Sequence, residues 1–266
     1  MEHSGHDIEQ LLSRWEKLAR ANDWETIVLA EAGGYPVCVF QNRKSGCREN
    51  GGLYVSSGVH GDECAPPWGL LRWAESNPPL FDEVPLVVIP CFNPVGFVEN
   101  TRSDGDRVDL NRHFQNRGLP LMSAWQDFLK GREFSMALNL HEDYDATGIY
   151  LYEIASEGSP GGSFLSSCQD LIPRETAPSV DGVEFRDGLL SHDVDESRLR
   201  EMVEENLDGG MPEAVYLYLN HALNSFTFET PSEMDLRRRI ETHQRFLEVA
   251  AAHLLEGKNR SLDESR

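Results

Sequence analysis

A histidine and a glutamate three residues apart, His60 and Glu63, close the segment Val55-Ser56-Ser57-Gly58-Val59-His60-Gly61-Asp62-Glu63, where an apolar run gives way to a turn with two glycines. An imidazole and a carboxylate at that spacing on a strand-to-helix loop can point into one site. A second histidine, His141, ends the run Met136-Ala137-Leu138-Asn139-Leu140-His141. Catalytic zinc takes three ligands of the His and Glu type and keeps a fourth position for water. His60, Glu63 and His141 are therefore candidate ligands of one Zn2+ ion, although other divalent ions can use the same donors. Glu229 follows a further apolar run, in Phe228-Glu229-Thr230-Pro231, and a carboxylate there suits proton transfer once its pKa is tuned. Between these lie Arg102, Arg107 and the pair Asn111-Arg112. A guanidinium forks onto a carboxylate through two parallel N–H groups, and a neighbouring amide adds a neutral donor.

Each residue alone has a plainer reading. A histidine after a strand is commonly a hydrogen-bonded structural group. Thr230 to Glu233 reads as a helix start with Pro231 near its first turn. Arg112 can pair with one of many surface acids. The ordered conjunction of four short segments points to chemistry.

The elements that must carry these residues follow from periodicity. Asp7 to Ala21 has apolar positions at helical spacing, and the runs Thr26–Ala30 and Pro36–Phe40 around Gly33-Gly34 predict a hairpin. Short apolar runs at Leu53–Ser57, Leu86–Pro90, Met136–Leu140 and Ser225–Phe228 alternate with helical stretches at Pro67–Glu75, Leu119–Lys130 and Glu233–Leu255. Such alternation predicts an α/β fold of three αβα layers, with a mixed, mostly parallel sheet and helices on both faces. Ligands gather at the carboxyl ends of strands in open α/β sheets, which is where the four segments fall. One catalytic domain over 1–256 is expected, with a Gly-, Pro- and acid-rich excursion over 157–212 shaping a pocket wall and a polar, fraying tail over 257–266. Tyr150, Tyr152, Tyr216 and Tyr218 alternate as a strand requires, and the acids after His141 are open to several readings, from selecting a cationic side chain to simple solvation.

Composition narrows the partners. The chain has 266 residues and a formal charge of -21, from 24 basic and 45 acidic residues, which argues against a nucleic-acid or anionic-membrane surface. Five cysteines without a CxxC pair suggest neither a disulfide framework nor a thiolate zinc site. Without an apolar run of about 18 residues or a leader-like start, a cytoplasmic location is expected.

The HxxE of His60 and Glu63, the Asp109-Leu110-Asn111-Arg112 loop, His141 and the Glu229 segment together resemble, in content and order, the zinc carboxypeptidase superfamily. The resemblance runs from about Val55 to Thr230. It implies zinc on His60, Glu63 and His141, a substrate carboxylate gripped by Asn111 and Arg112, and Glu229 as general base. It also implies an arginine ahead of the Asn-Arg pair as oxyanion donor, Arg102 having the fitting position and Arg107 competing. The implied activity is a metallocarboxypeptidase-like hydrolysis of an amide beside a free carboxylate. The same layout is similar to the aspartoacylase and succinylglutamate desuccinylase branch, which implies N-acyl amino acids as the alternative substrate to small peptides. A catalytically silent module that keeps the metal or the clamp for binding is the third reading.

Overall fold

Asp7 starts the first helix, α1 (Ile8–Asn22), by accepting the Gln10 N–H on its side chain, and Ile8, Leu11, Trp15 and Ala19 form the buried stripe. Residues 5–46, 51–77, 83–155, 159–177, 179–180, 183–184, 186–192 and 195–264 are described by the structure, a computed structural model. Strands β1 (Glu25–Ala32) and β2 (Tyr35–Gln41) form the expected hairpin, closed by Gly33 and Gly34 at φ 58° and 85°. A two-residue turn with both φ positive matches the strands' right-handed twist and favours glycine.

After the short helix α2 (Arg43–Gly46) the chain alternates: β3 (Leu53–Ser57), α3 (Ala65–Ser76), β4 (Leu86–Ile89), α4 (Pro94–Glu99), α5 (Pro120–Leu129) and β5 (Met136–Asp143). Then come β6 (Tyr150–Ile154), α6 (Gly161–Cys168), β7 (Ser179–Val180), β8 (Val183–Glu184) and β9 (Leu189–His192). Helices α7 (Glu196–Leu207) and α8 (Glu213–Asn220), strand β10 (Ser225–Pro231) and helix α9 (Leu236–Glu264) complete it. One eight-stranded sheet runs β1-β2-β4-β3-β5-β10-β6-β9, with β4, β3, β5 and β10 mutually parallel at its centre. Central strands buried on both faces are expected to be apolar throughout, and β3 and β4 are buried at every residue. One face packs Val55, Leu138, Leu140, Phe226 and Phe228 under α1, α3, α6 and α9, with the Phe228 and Phe246 rings stacked at 4.2 Å. Tyr54, Val87, Ile89 and Ala137 face the other way, toward Trp125 of α5 and Leu217 of α8. Three layers result.

Two expectations change. Thr230 and Pro231 continue β10 in register with Glu142 and Asp143, so sheet pairing wins over the helix-start signal, and α9 begins only at Leu236 after Asp235 caps Arg238 N–H. Tyr216 and Tyr218 lie on α8, while Tyr150 and Tyr152 are on a strand; two residues of alternation cannot separate the cases. The excursion after 157 holds α6, α7 and a strand that extends the sheet edge. Helix α9 is drawn on to Glu264, within the stretch read from sequence as a polar tail.

Candidate functional site

His60 and Glu63 sit on the loop that leaves β3 for α3, and this loop is held tightly. A Cβ on Gly61 would fall 1.9 Å from the Gly96 carbonyl carbon, so only glycine lets the loop lie against α4. His141 and Glu229 are register partners on the parallel strands β5 and β10, both facing the same side. All four are buried, at 3–9% exposure.

The donor atoms of His60, Glu63 and His141 lie within 4.8 Å of one another. His60 Nδ1 is 2.5 Å from Glu63 Oε1, and His141 Nδ1 is 2.9 Å from Glu63 Oε2. Yet Oε2, fully buried, has no hydrogen bond of acceptable geometry. Two imidazole nitrogens and a carboxylate that converge with an unsatisfied oxygen fit a divalent cation better than they fit one another. The histidines' charge holds Glu63 well below the ordinary carboxylate range in spite of its burial, which acts the other way.

Asp109, in the same loop as Asn111 and Arg112, reaches His60 from the side away from Glu63. Its Oδ1 lies 3.3 Å from His60 Nε2 and accepts the Asn111 N–H at 2.9 Å, while Oδ2 accepts from Arg102 Nε at 3.2 Å. A carboxylate on the far nitrogen of a ligand histidine fixes its tautomer and basicity. Asp109→Asn is therefore expected to weaken zinc binding by about 10–100-fold in competition with a chromophoric chelator; unchanged affinity would remove Asp109 from the site.

Arg102, on that carboxylate, lines the cavity with its side chain 47% exposed. Arg107 is at φ 65° in a turn that the Arg107 N–H closes on Asp104 O, and does not line it. Asn111 Oδ1 accepts the Glu213 N–H at 3.1 Å, which leaves its amide NH2 as the free end. The Arg112 side chain runs along Gly210, where an added Cβ would lie 2.9 Å from its Cδ.

His60, Glu63, Arg102, Asn111, Arg112, His141 and Glu229 all border one cavity of about 1120 Å3. Met202, Asn206, Leu207 and Pro212 of the excursion line it too, as do Tyr150 and Tyr152 but not Tyr216 or Tyr218. Its floor shows in β10, where Thr227 alone is incompletely buried. Of the acids after His141, Glu142 is buried, Asp143 accepts from Tyr150 OH at 2.8 Å, and Asp145 lies at the rim. Burial raises the Glu229 carboxyl to about 8, with His141 and Arg102 opposing and Glu63 and Asp143 reinforcing the rise. Cys38, Cys64, Cys91 and Cys168 are free and buried, Cys47 lies outside the described residues, and no described helix is long and apolar enough to cross a membrane.

Comparison with known proteins bears on this arrangement. Residues 50–146, about a third of the chain, match the succinylglutamate desuccinylase/aspartoacylase catalytic domain. No curated protein matches. Among solved structures, a protein from Shewanella amazonensis described as a candidate metallopeptidase superposes with a TM-score of 0.79 at 22% identity, covering 94% of each chain. A metallo-carboxypeptidase from Burkholderia cenocepacia gives 0.64 at 16% identity, over 95% of this chain and 69% of that one. The metallo-carboxypeptidase of Pseudomonas aeruginosa, solved with (2-guanidinoethylmercapto)succinic acid, gives 0.65 at 18% identity, over 92% and 68%. The chain therefore has the fold of the zinc carboxypeptidase superfamily, and over residues 50–146 it resembles the succinylglutamate desuccinylase/aspartoacylase branch.

Proposed function

We propose that this protein is a zinc-dependent hydrolase of carboxypeptidase type, cleaving an amide next to a free carboxylate in a small peptide. The observation that carries the reading is convergence: three metal donors, a buried carboxylate and two arginines open onto one cavity. His60, Glu63 and His141 would hold the ion, which when bound would supply the Lewis acidity that makes water a nucleophile near neutral pH. Glu229 takes the proton of the attacking water and delivers it to the nitrogen as the C–N bond breaks, so one carboxylate serves as base and then as acid. Arg102 turns from Asp109 toward the oxyanion that develops on the carbonyl oxygen. Asn111 and Arg112 hold the substrate carboxylate, one by a neutral donor and the other by a charged fork. The succinic acid derivative bound by the Pseudomonas protein is itself a small carboxylic acid, in keeping with such a clamp.

The match over 50–146 favours a second substrate class for the same machinery, N-acyl amino acids. Zinc-loaded protein offered short peptides beside N-acetyl and N-succinyl amino acids separates the two. Release of a C-terminal residue, lost in Glu229→Gln, supports the peptidase; release of acetate or succinate supports the deacylase. Silence on both with zinc bound leaves a binding module. On whichever substrate is cleaved, Arg112→Met is expected to raise KM by about 10–100-fold, since a charge-assisted bond contributes about 1.5–3 kcal/mol. KM unchanged would put the carboxylate elsewhere.

A further inference from the structure

Successive side chains along a strand point to opposite faces, so Glu142 leaves β5 on the face opposite His141, and Thr230 leaves β10 on the face opposite Glu229. Those second residues meet beside the ligand set, where Glu142 and Arg239 still border one end of the same cavity. Glu142 and Thr230 are register partners, and the Thr230 hydroxyl lies 3.2 Å from Glu142 Oε1. The other oxygen, Oε2, accepts the backbone N–H of Ala65 at 2.9 Å, at the start of α3 and two residues past Glu63. Arg239 of α9 donates to Oε1 through Nη1 at 2.5 Å and is fixed by its own Nε on Met234 O at 2.8 Å. His243, from the same helix, lies fully buried with Nε2 3.0 Å from Thr230 Oγ1 and no partner on Nδ1. A neutral ring carrying its proton on Nε2 therefore donates to Thr230, whose own proton is left for Glu142.

One carboxylate thus joins the residue after His141, the residue after Glu229 and the helix start just beyond Glu63. A buried ion pair is a poor way to gain stability, because desolvating both charges offsets most of their attraction and apolar residues of similar size often do as well. Its placement is better explained by geometry. We propose that Glu142, with Arg239 as counter-charge, is a positioning residue that holds His141, Glu63 and Glu229 in mutual register through its bonds to Ala65 and Thr230. The inference rests on the zinc reading above and concerns how firmly that ligand set is preformed.

Arg239→Met alone strands a buried charge, so the variant to make is Glu142→Gln with Arg239→Met, which keeps volume and removes both charges. Zinc affinity, read by competition with a chromophoric chelator, is expected to fall about 10–100-fold, the loss typical of groups that orient ligands, while the metal-free protein melts near the parent temperature. Leu11→Ala in α1, buried in the core and not part of the cavity lining, should lower the melting temperature and leave zinc affinity unchanged. Arg239→Lys alone, which keeps Glu142 and a positive charge beside it, should lose less affinity than the double variant. Affinity of the folded double variant within about threefold of the parent overturns the proposal. Should the double variant not fold, Thr230→Val decides, since it leaves the ion pair in place and removes only the hydroxyl link: weaker zinc binding supports the brace and unchanged binding overturns it. Failure of the parent itself to bind zinc would fault the ligand assignment, a result distinct from failure of the brace.

Discussion

Replacing Glu229 by Gln is expected to lower kcat by about 10²–10⁴-fold while leaving zinc content and KM within a few-fold of the parent. The substitution keeps the volume and one acceptor oxygen but removes the site for a proton, so a group that acts only in proton transfer shows its loss in kcat. Glu229 is 9% exposed, and its carboxyl is raised to about 8, by burial first and then by Glu63 and Asp143 against His141 and Arg102. A base protonated below pH 8 would be idle at neutrality. A divalent charge among His60, Glu63 and His141 acts in the opposite sense, since it neutralises Glu63 and favours the anion of Glu229. The acid limb of kcat/KM in the zinc-loaded protein should therefore lie below pH 8, and activity should rise through it as pH increases. Kinetics on the cleaved substrate test both parts. A Gln variant within tenfold of the parent would remove Glu229 from the chemistry.

What made this residue legible is the same feature that makes it reactive. Central strands of a parallel sheet are apolar on both faces, so a Glu or His at the end of such a run stands out, and His60, His141 and Glu229 all occupy such places. The hairpin was legible because Gly33-Gly34 permits few alternatives, and α1 because Ile8, Leu11, Trp15 and Ala19 keep one stripe over four turns. Signals faded where burial is thin. Helix α7 buries only Leu199 and Val203 among twelve residues, and β9 is a four-residue edge strand, so neither imposes a period on a sequence rich in acids and turn formers. Pro231 at the end of β10 was misleading because a proline at a strand end and a proline in a first helical turn look alike from sequence.

Buried carboxylates were the least legible class. In a chain with 45 acidic residues, Glu142, Glu153 and Glu213 resemble solvated surface acids, yet each is 5% exposed or less. Neither local spacing nor composition marks them, because their partners are Arg239, Ser191 and Tyr54, between 38 and 159 residues away in sequence. Asp109 was hidden in another way: Arg102 and Asn111 share its loop, but the contact that ties it to the ligand set, His60, lies 49 residues away on the loop after β3. A signal existed, since a carboxylate two residues ahead of a proposed carboxylate clamp is poor company for an anionic substrate unless something else neutralises it.

Glu213 gives the largest stability effect expected of a single group. It heads α8 under the sheet, accepting from Tyr54 OH at 2.6 Å and Ser56 OH at 2.8 Å, while Trp125 Nε1 and Asn139 Nδ2 donate to those two hydroxyls. Burial pushes its carboxyl up from 4.5 to about 7 despite both bonds. Between those values the folded protein keeps a proton that the unfolded chain releases, so this group's contribution falls as pH rises from 4.5 through 7 and is flat above. That interval corresponds to about 3 kcal/mol. Glu213→Gln removes the titration but carries two N–H donors where the protonated acid carries one O–H, against hydroxyls that already donate, at a cost of about 1–3 kcal/mol. The variant should therefore be less stable than the parent at pH 5 and gain on it by about 2–3 kcal/mol by pH 8, in denaturant melts compared at equal pH. Contributions from unrelated carboxylates cancel in that difference, which isolates Glu213. A gap that stays constant from pH 5 to 8 would mean that Glu213 is ionised throughout, with the two hydroxyl bonds outweighing its burial. Because the Glu213 N–H also holds Asn111, the Gln variant, with its backbone intact, should bind substrate with KM near that of the parent at either pH.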